Sequence, residues 1–235
     1  MKPLLLLLPG LMCDAAVWKA QAEAFQTDHE VRIPSFHGLD SFDAMAAAAL
    51  AMTDGQPFAL AGHSMGGRVA MLVASMVPDR VQRLALLDTA AHLPTPDERD
   101  KRMGLVAIGE RDGIEAVIES WLPPMIAPHR RDDRVLWGEI AAMIRRAGVA
   151  TLRGQQTALL TRRDGFAQLD TVRAPTTFIT GAEDGWSPPE QHRQMQAHVS
   201  GSTLTIVPDC GHMAPMEAPE AINSAFAQWL AMERA

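Results

Sequence analysis

The chain has little cysteine, no basic run and no long apolar run. Cys13 and Cys210 are its two cysteines in 235 residues. Two are too few for a disulfide framework, and neither stands in a C-x-x-C or Cys/His spacing that would hold a metal. A reducing cytoplasm is therefore the expected compartment. The formal net charge is −7. With no long basic stretch, nucleic acid and anionic membranes are poor candidates for main partners. No apolar stretch approaches the roughly 18 residues of a membrane-crossing helix. What remains is an ordinary globular composition, 47% hydrophobic and 21% charged. A chain of this size buries a substantial core without staples, as one domain with room for an insertion.

The opening "MKPLLLLLPGLMCD" raises the question of export. A secretory signal needs about 7–15 apolar residues and a small-residue cleavage site. Here the run Leu4 to Leu8 stops at Pro9-Gly10, and the large Met12 precedes Cys13. A short apolar run bounded by Pro and Gly reads as a buried parallel strand. Strand patterns recur at His29–Ile33, Pro57–Ala61 and Val81–Leu87. Helical patterns alternate with them at Ala15–Phe25 (after the N-cap candidate Asp14), Ser41–Met52 and Gly66–Val77. This alternation predicts right-handed crossovers and a parallel sheet with helices on both faces.

After Asp88 the rhythm changes. From about His92 to Gln168 the patterns are helical and no strand stands out. Thr95-Pro96-Asp97-Glu98 is a helix start. Further helices are predicted at Gly113–Trp121, Asp132–Arg146 (stopped by Gly148) and Val149–Arg162. Strands return at Thr176–Thr180 and Thr203–Val207, with helices near Glu190–His198 and Pro219–Met232. The expected division is an α/β core of 1–91 and 169–235 and an all-helical cap of 92–168. There is no internal repeat or low-complexity linker.

The strongest local signal is "FALAGHSMGGRVAMLVASM". A strand runs into Gly62-His63-Ser64-Met65-Gly66 and a helix follows, which is G-x-S-x-G in strand–turn–helix context. Such a turn is so tight that side chains two before and two after the serine would collide. It holds the Ser64 hydroxyl out at a helix N-terminus whose dipole favours negative charge. A serine needs a base, and the base needs a third group to orient it. "APTTFITGAEDGWSPPEQ" offers Asp184 after one strand, and "LTIVPDCGHMAPMEAPE" offers His212 after the last. Both lie at carboxyl ends of strands, where open α/β sheets gather their sites. Asp88, at the end of its own strand, stays open as an alternative acid. The order Ser64, Asp184, His212 is the one this elbow calls for.

With these residues in place, the sequence resembles the α/β-hydrolase superfamily over essentially its whole length. It is similar to small bacterial esterase-like members with a helical cap. The matching pieces are "LLLPGLMCDAAVW", "GHSMGG", "GAEDGWSP" and "CGHMAPMEAPE". The resemblance implies nucleophile Ser64, acid Asp184 and base His212. Its G-x-x-D spacing from Gly181 selects Asp184 over Glu183. It also implies that the customary first two strands are absent, leaving about six parallel strands. It implies oxyanion-hole N–H donors at Met65 and Leu11, on a loop where many relatives carry His-Gly and this chain has Pro9-Gly10. Dehalogenase and epoxide-hydrolase relatives use Asp at the elbow, which Ser64 argues against.

The implied reaction is two-step hydrolysis of a small-molecule carboxylic ester or thioester through an acyl-enzyme, with no metal or organic cofactor. The alternatives are a triad-dependent lyase or C–C hydrolase, and a ligand-binding signalling protein of the same fold. Trp121, Met125, Trp137, Met143 and Leu159 are candidates for a cap pocket or for the cap's own core. Arg130-Arg131 and Arg145-Arg146 read as solvated faces. His63, inside the elbow, reads as packing beside the turn rather than as the base, and His37 as loop structure. His29, His92, His129, His192 and His198 read as solvated or cap residues, and Cys13 and Cys210 as small buried ones. Oligomeric state is left open by the sequence.

Overall fold

The computed structural model describes residues 2–233; positions 1, 234 and 235 of the expected core lie outside the described residues. Leu4–Leu8 forms β1, and all five leucines are buried. Burying a leucine is worth ~1.5–3 kcal/mol, an upper figure because unfolded chains already bury some apolar surface. The next elements are α1 (Lys19–Phe25), β2 (Glu30–Arg32), α2 (Phe42–Ala51), β3 (Phe58–His63), α3 (Met65–Met76) and β4 (Val81–Leu87). Asp14 does cap the segment after it, accepting from the Ala16 N–H at 2.9 Å. That segment starts as a 3₁₀ turn, Ala15–Trp18, before α1. Ser41 caps α2 in the same way.

Six strands form one parallel sheet in the order β2-β1-β3-β4-β5-β6, with β5 at Thr176–Gly181 and β6 at Thr203–Val207. The order reverses between β1 and β3. Their carboxyl ends therefore open a crevice, the place where open α/β sheets bind ligands. Leu11 follows β1 and Ser64 follows β3, so both border that crevice.

Between β4 and β5 the described regular elements are all helical: α4 (Glu98–Asp112), α5 (Ile114–Trp121), α6 (Arg134–Leu160) and α7 (Gly165–Leu169), with 3₁₀ turns at Pro123–Met125 and Pro128–Arg130. The expected stop at Gly148 is a kink. This residue takes φ 72°, ψ 168° inside α6, a conformation open to glycine, and the chain resumes as helix. The helices α7 and α9 (Ala214–Glu217) are too short to show a period in sequence. The remaining helices are α8 (Pro189–Gln196) and α10 (Pro219–Leu230). Among the described residues no helix is long and apolar enough to cross a membrane.

Candidate active site

Ser64 sits between β3 and α3 at φ 53°, ψ −117°. A non-glycine residue there is strained by about 1–3 kcal/mol, and the surroundings must hold it. They do so through hydrogen bonds to its backbone: Ser64 N–H donates to the Leu87 carbonyl at 2.9 Å, and the Ser64 carbonyl accepts from Gly67 N–H at 3.0 Å and from the Thr89 hydroxyl at 2.7 Å. The glycines are there for clearance. A Cβ on Gly62 would stand 2.3 Å from the Gly66 carbonyl oxygen, and one on Gly66 would stand 2.3 Å from that of Leu8. The elbow thus presses directly against the end of β1.

The base and acid candidates meet the serine. His212 Nε2 lies 2.8 Å from Ser64 Oγ, and its Nδ1 lies 2.9 Å from Asp184 Oδ2. The other oxygen of Asp184 accepts from the N–H groups of Trp186 and Ser187, at 2.8 and 2.9 Å. Burial pushes this carboxyl up, but the adjacent His212 and these N–H bonds outweigh it, and the net shift is downward. Asp184 is held as a carboxylate facing the imidazole. Glu183 makes no such contact; its N–H donates to the Cys210 carbonyl.

Asp88 does not reach His212. Its carboxylate accepts from the N–H groups of Gly181 at 3.0 Å and Ala214 at 3.3 Å. Burial, then Asp184, drives its pKa well above the ordinary value. His63 is buried with it. Its Nε2 donates to the His212 carbonyl at 2.8 Å, and burial holds its pKa down at about 3. His63 therefore supports the His212 loop as a neutral ring.

Two further side chains, which the sequence reading missed, hold the loops. Glu217 accepts from Gly211 and Met213 N–H at 3.2 and 3.0 Å, one residue on each side of His212, and from Ala127 N–H at 2.8 Å. Gln155, buried on α6, accepts from Met12 N–H at 2.8 Å and donates to the Phe36 carbonyl at 3.1 Å. It fastens the loop that carries Leu11 from the helical side, with Met12 at φ 61°. No spacing links these partners, which lie 143 and 119 positions apart.

A cavity of about 100 Å³ opens over Ser64, with Leu11, Met65 and His212 in its wall. Met65 is the first residue of α3, so its N–H has no acceptor inside that helix. Of the five expected pocket residues, Trp121, Met125 and Leu159 line this cavity. Met143 is instead buried core and Trp137 packs against the core from outside. His192 corrects another expectation: it is fully buried, accepts from Thr89 N–H at 3.2 Å, and burial lowers its pKa to about 4. His198 likewise has a partner, Asp170, at 2.7 Å. Both cysteines are buried, and burial raises the Cys13 thiol to about 12 and Cys210 further, which leaves them as thiols. Of the paired arginines, Arg130 pairs with Asp133, Arg145 with Glu115 and Arg146 with Asp14, while Arg131 donates to the Ile126 carbonyl at 3.4 Å. Among the described residues no His/Cys/Asp/Glu group is arranged to hold a metal ion.

The chain is similar to known proteins over nearly its whole length. The model of a family described as "Alpha/beta hydrolase family" matches residues 5–225. A pimeloyl-[acyl-carrier protein] methyl ester esterase of Nitrosomonas europaea is 27% identical, over 95% of this chain and 94% of that protein. An (E)-2-((N-methylformamido)methylene)succinate hydrolase of Acinetobacter baylyi is 28% identical, over 96% and 89%. Among solved structures, a thermophilic esterase from Thermogutta terrifontis aligns with a TM-score of 0.89 at 27% identity, covering 97% of this chain and 90% of that one.

Proposed function

Since the chain belongs to the alpha/beta hydrolase family, we propose that it is a serine hydrolase of carboxylic esters or thioesters, with residues 92–168 acting as a cap over the site. The observation that carries this reading is the continuous line from Asp184 through His212 to Ser64 Oγ, with both links at 2.9 Å or less. Its relatives include an esterase and a hydrolase of comparable length.

In this mechanism His212 Nε2 takes the proton of Ser64 as the hydroxyl attacks the substrate carbonyl. The Asp184 carboxylate keeps the other proton on Nδ1 and stabilises the imidazolium that forms. The oxyanion is assigned to the backbone N–H groups of Met65 and Leu11, both residues of the cavity wall; pre-placed donors of this kind are worth about 3–4 kcal/mol in the barrier. His212 then gives its proton to the departing alcohol or thiol. In the second half it activates water, which releases the acid and restores Ser64.

A fluorophosphonate should add one label, at Ser64, and p-nitrophenyl esters of short acids should be turned over. Ser64→Ala should remove the label and lower kcat/KM by about 10⁴-fold. Labelling without ester turnover would favour lyase, carbon–carbon hydrolase or signalling roles. Absence of label would overturn the nucleophile assignment.

A further inference from the structure

The cavity over Ser64 has a cationic wall that ester hydrolysis does not require. Arg68 and Arg102 both line it. Arg68 lies four residues after Ser64 on α3, one turn along the same face. Its Nη1 donates to the His92 carbonyl at 3.0 Å. Among the described residues no carboxylate stands within ion-pair distance of it. The acid whose charge favours it, Glu98, is already taken. Both its oxygens accept from Arg162, at 2.7 Å each, and one also accepts from Arg102 at 2.6 Å. Arg162 also shares the His92 carbonyl with Arg68.

Three guanidiniums therefore gather around one carboxylate, and Arg68 is the one left without a counter-ion. Burial, Arg162 and Arg102 all act against its charge, and only Glu98 favours it. A half-buried cation in surplus, inside a chain whose formal net charge is −7, is a cost that an incoming anion would relieve. The planar guanidinium fork is the donor set that fits a carboxylate in two-point fashion.

We propose that this wall is a carboxylate subsite and that the substrate is an ester of a short dicarboxylic acid with one acid group free. The proposal deepens, and rests on, the reading of Ser64 as nucleophile. The direction follows from the shape of the site. Arg102, Trp121 and Trp186 are shared with an outer groove of about 560 Å³, whereas Arg68 belongs to the inner cavity alone of these two. The alcohol therefore leaves toward the groove, and the acyl part runs inward toward Arg68. The inner volume of about 100 Å³ limits that acyl part to a short chain.

The test compares mono-p-nitrophenyl glutarate with the neutral p-nitrophenyl valerate. The wild type should prefer the charged ester in kcat/KM by about 10-fold or more, the size expected of a charge-assisted pair. Free glutarate should inhibit valerate hydrolysis competitively. Arg68→Met should collapse the preference and weaken glutarate inhibition by a similar factor, and Arg68→Lys should keep part of both. Equal or better use of the neutral ester by the wild type, or an unchanged preference in Arg68→Met, overturns the subsite. If Arg68→Met does not fold, the wild-type preference and glutarate inhibition decide alone, and absence of both overturns the subsite. Fluorophosphonate labelling separates the two failures. A labelled Ser64 with no preference removes only the subsite, whereas an unlabelled Ser64 with neither ester turned over removes the hydrolase reading beneath it.

Discussion

Two histidine–aspartate pairs stand side by side at the carboxyl edge of the sheet, and their differences show how one pair of residue types serves two purposes. In the first, His212 and Asp184 touch at 2.9 Å, and the ring also faces Ser64 and the cavity. Asp184 is held below its ordinary pKa by its partners despite burial. In the second, His63 Nε2 and Asp88 stand 3.8 Å apart, too far for a hydrogen bond. Each turns to the backbone instead. His63 supports the His212 carbonyl, and Asp88 ties Gly181 to Ala214. Burial leaves the ring neutral and pushes the carboxyl upward. The first pair is proposed to move a proton; the second fixes the loops on which the first pair stands.

The largest expected effect separates the two aspartates. Asp184→Asn would present an amide where His212 needs an acceptor, and kcat should fall by about 10⁴-fold with little loss of folding. Asp88→Asn should do the reverse. An amide NH₂ would face one of the two backbone N–H groups, which costs ~1–3 kcal/mol of stability. Its kcat should stay within about tenfold, as chemical denaturation and ester kinetics on both variants would show. Comparable losses of kcat in the two variants would erase the distinction.

Gln155 extends the comparison to the helical side. Gln155→Leu leaves Met12 N–H and the Phe36 carbonyl buried without partners and frees the loop that carries Leu11. The expected outcome is a fall in kcat smaller than the ~10²–10³ of losing an oxyanion donor outright, with KM nearly unchanged. A change confined to KM would argue that the loop only shapes the pocket.

The smallest effect is on the pH dependence of stability. His63 and His192 have folded pKa values near 3 and 4, below the ordinary value of about 6.5. In that interval the unfolded chain binds more protons than the folded one. Their contribution is complete above pH 6.5 and is lost as pH falls toward the folded values. Each adds a slope of up to ~1.4 kcal/mol per pH unit. His192→Gln should remove its share of that slope, measured by urea unfolding between pH 6.5 and 4.5. An unchanged slope would mean that His192 is not held neutral.

Much of this molecule is written in short-range pattern. Leu4–Leu8, Val81–Leu87 and Thr203–Val207 form strands with the boundaries that the sequence suggests. In the first, buried throughout, an unbroken apolar run carries the signal. In the last, an edge strand buried only at Val207, β-branched residues carry it. The elbow is equally legible from its G-x-S-x-G spacing, although only the Gly62 clash lies within the turn; the Gly66 clash is with Leu8 of β1. Reading failed where burial came from elsewhere in the chain. His192 looks like a surface helix residue, yet it points into the Thr89 turn 103 positions away. Trp137 and Met143 share a helix with Leu159, and only Leu159, beyond the kink at Gly148, lines the cavity.

By itself the sequence determined the alternation of strand and helix, the helical run after Asp88 and the tight turn that presents Ser64. All follow from backbone sterics and local periodicity. Tertiary structure decided between Asp88, which the residue pattern had left open, and Asp184, which the family resemblance implied: it is Asp184 that faces His212. It also decided that Glu217 and Gln155 hold the flanking loops, and that Arg68 is left without a counter-ion beside the cavity. These outcomes depend on which groups are buried together and which bonds remain to satisfy them, and no spacing along the chain encodes that.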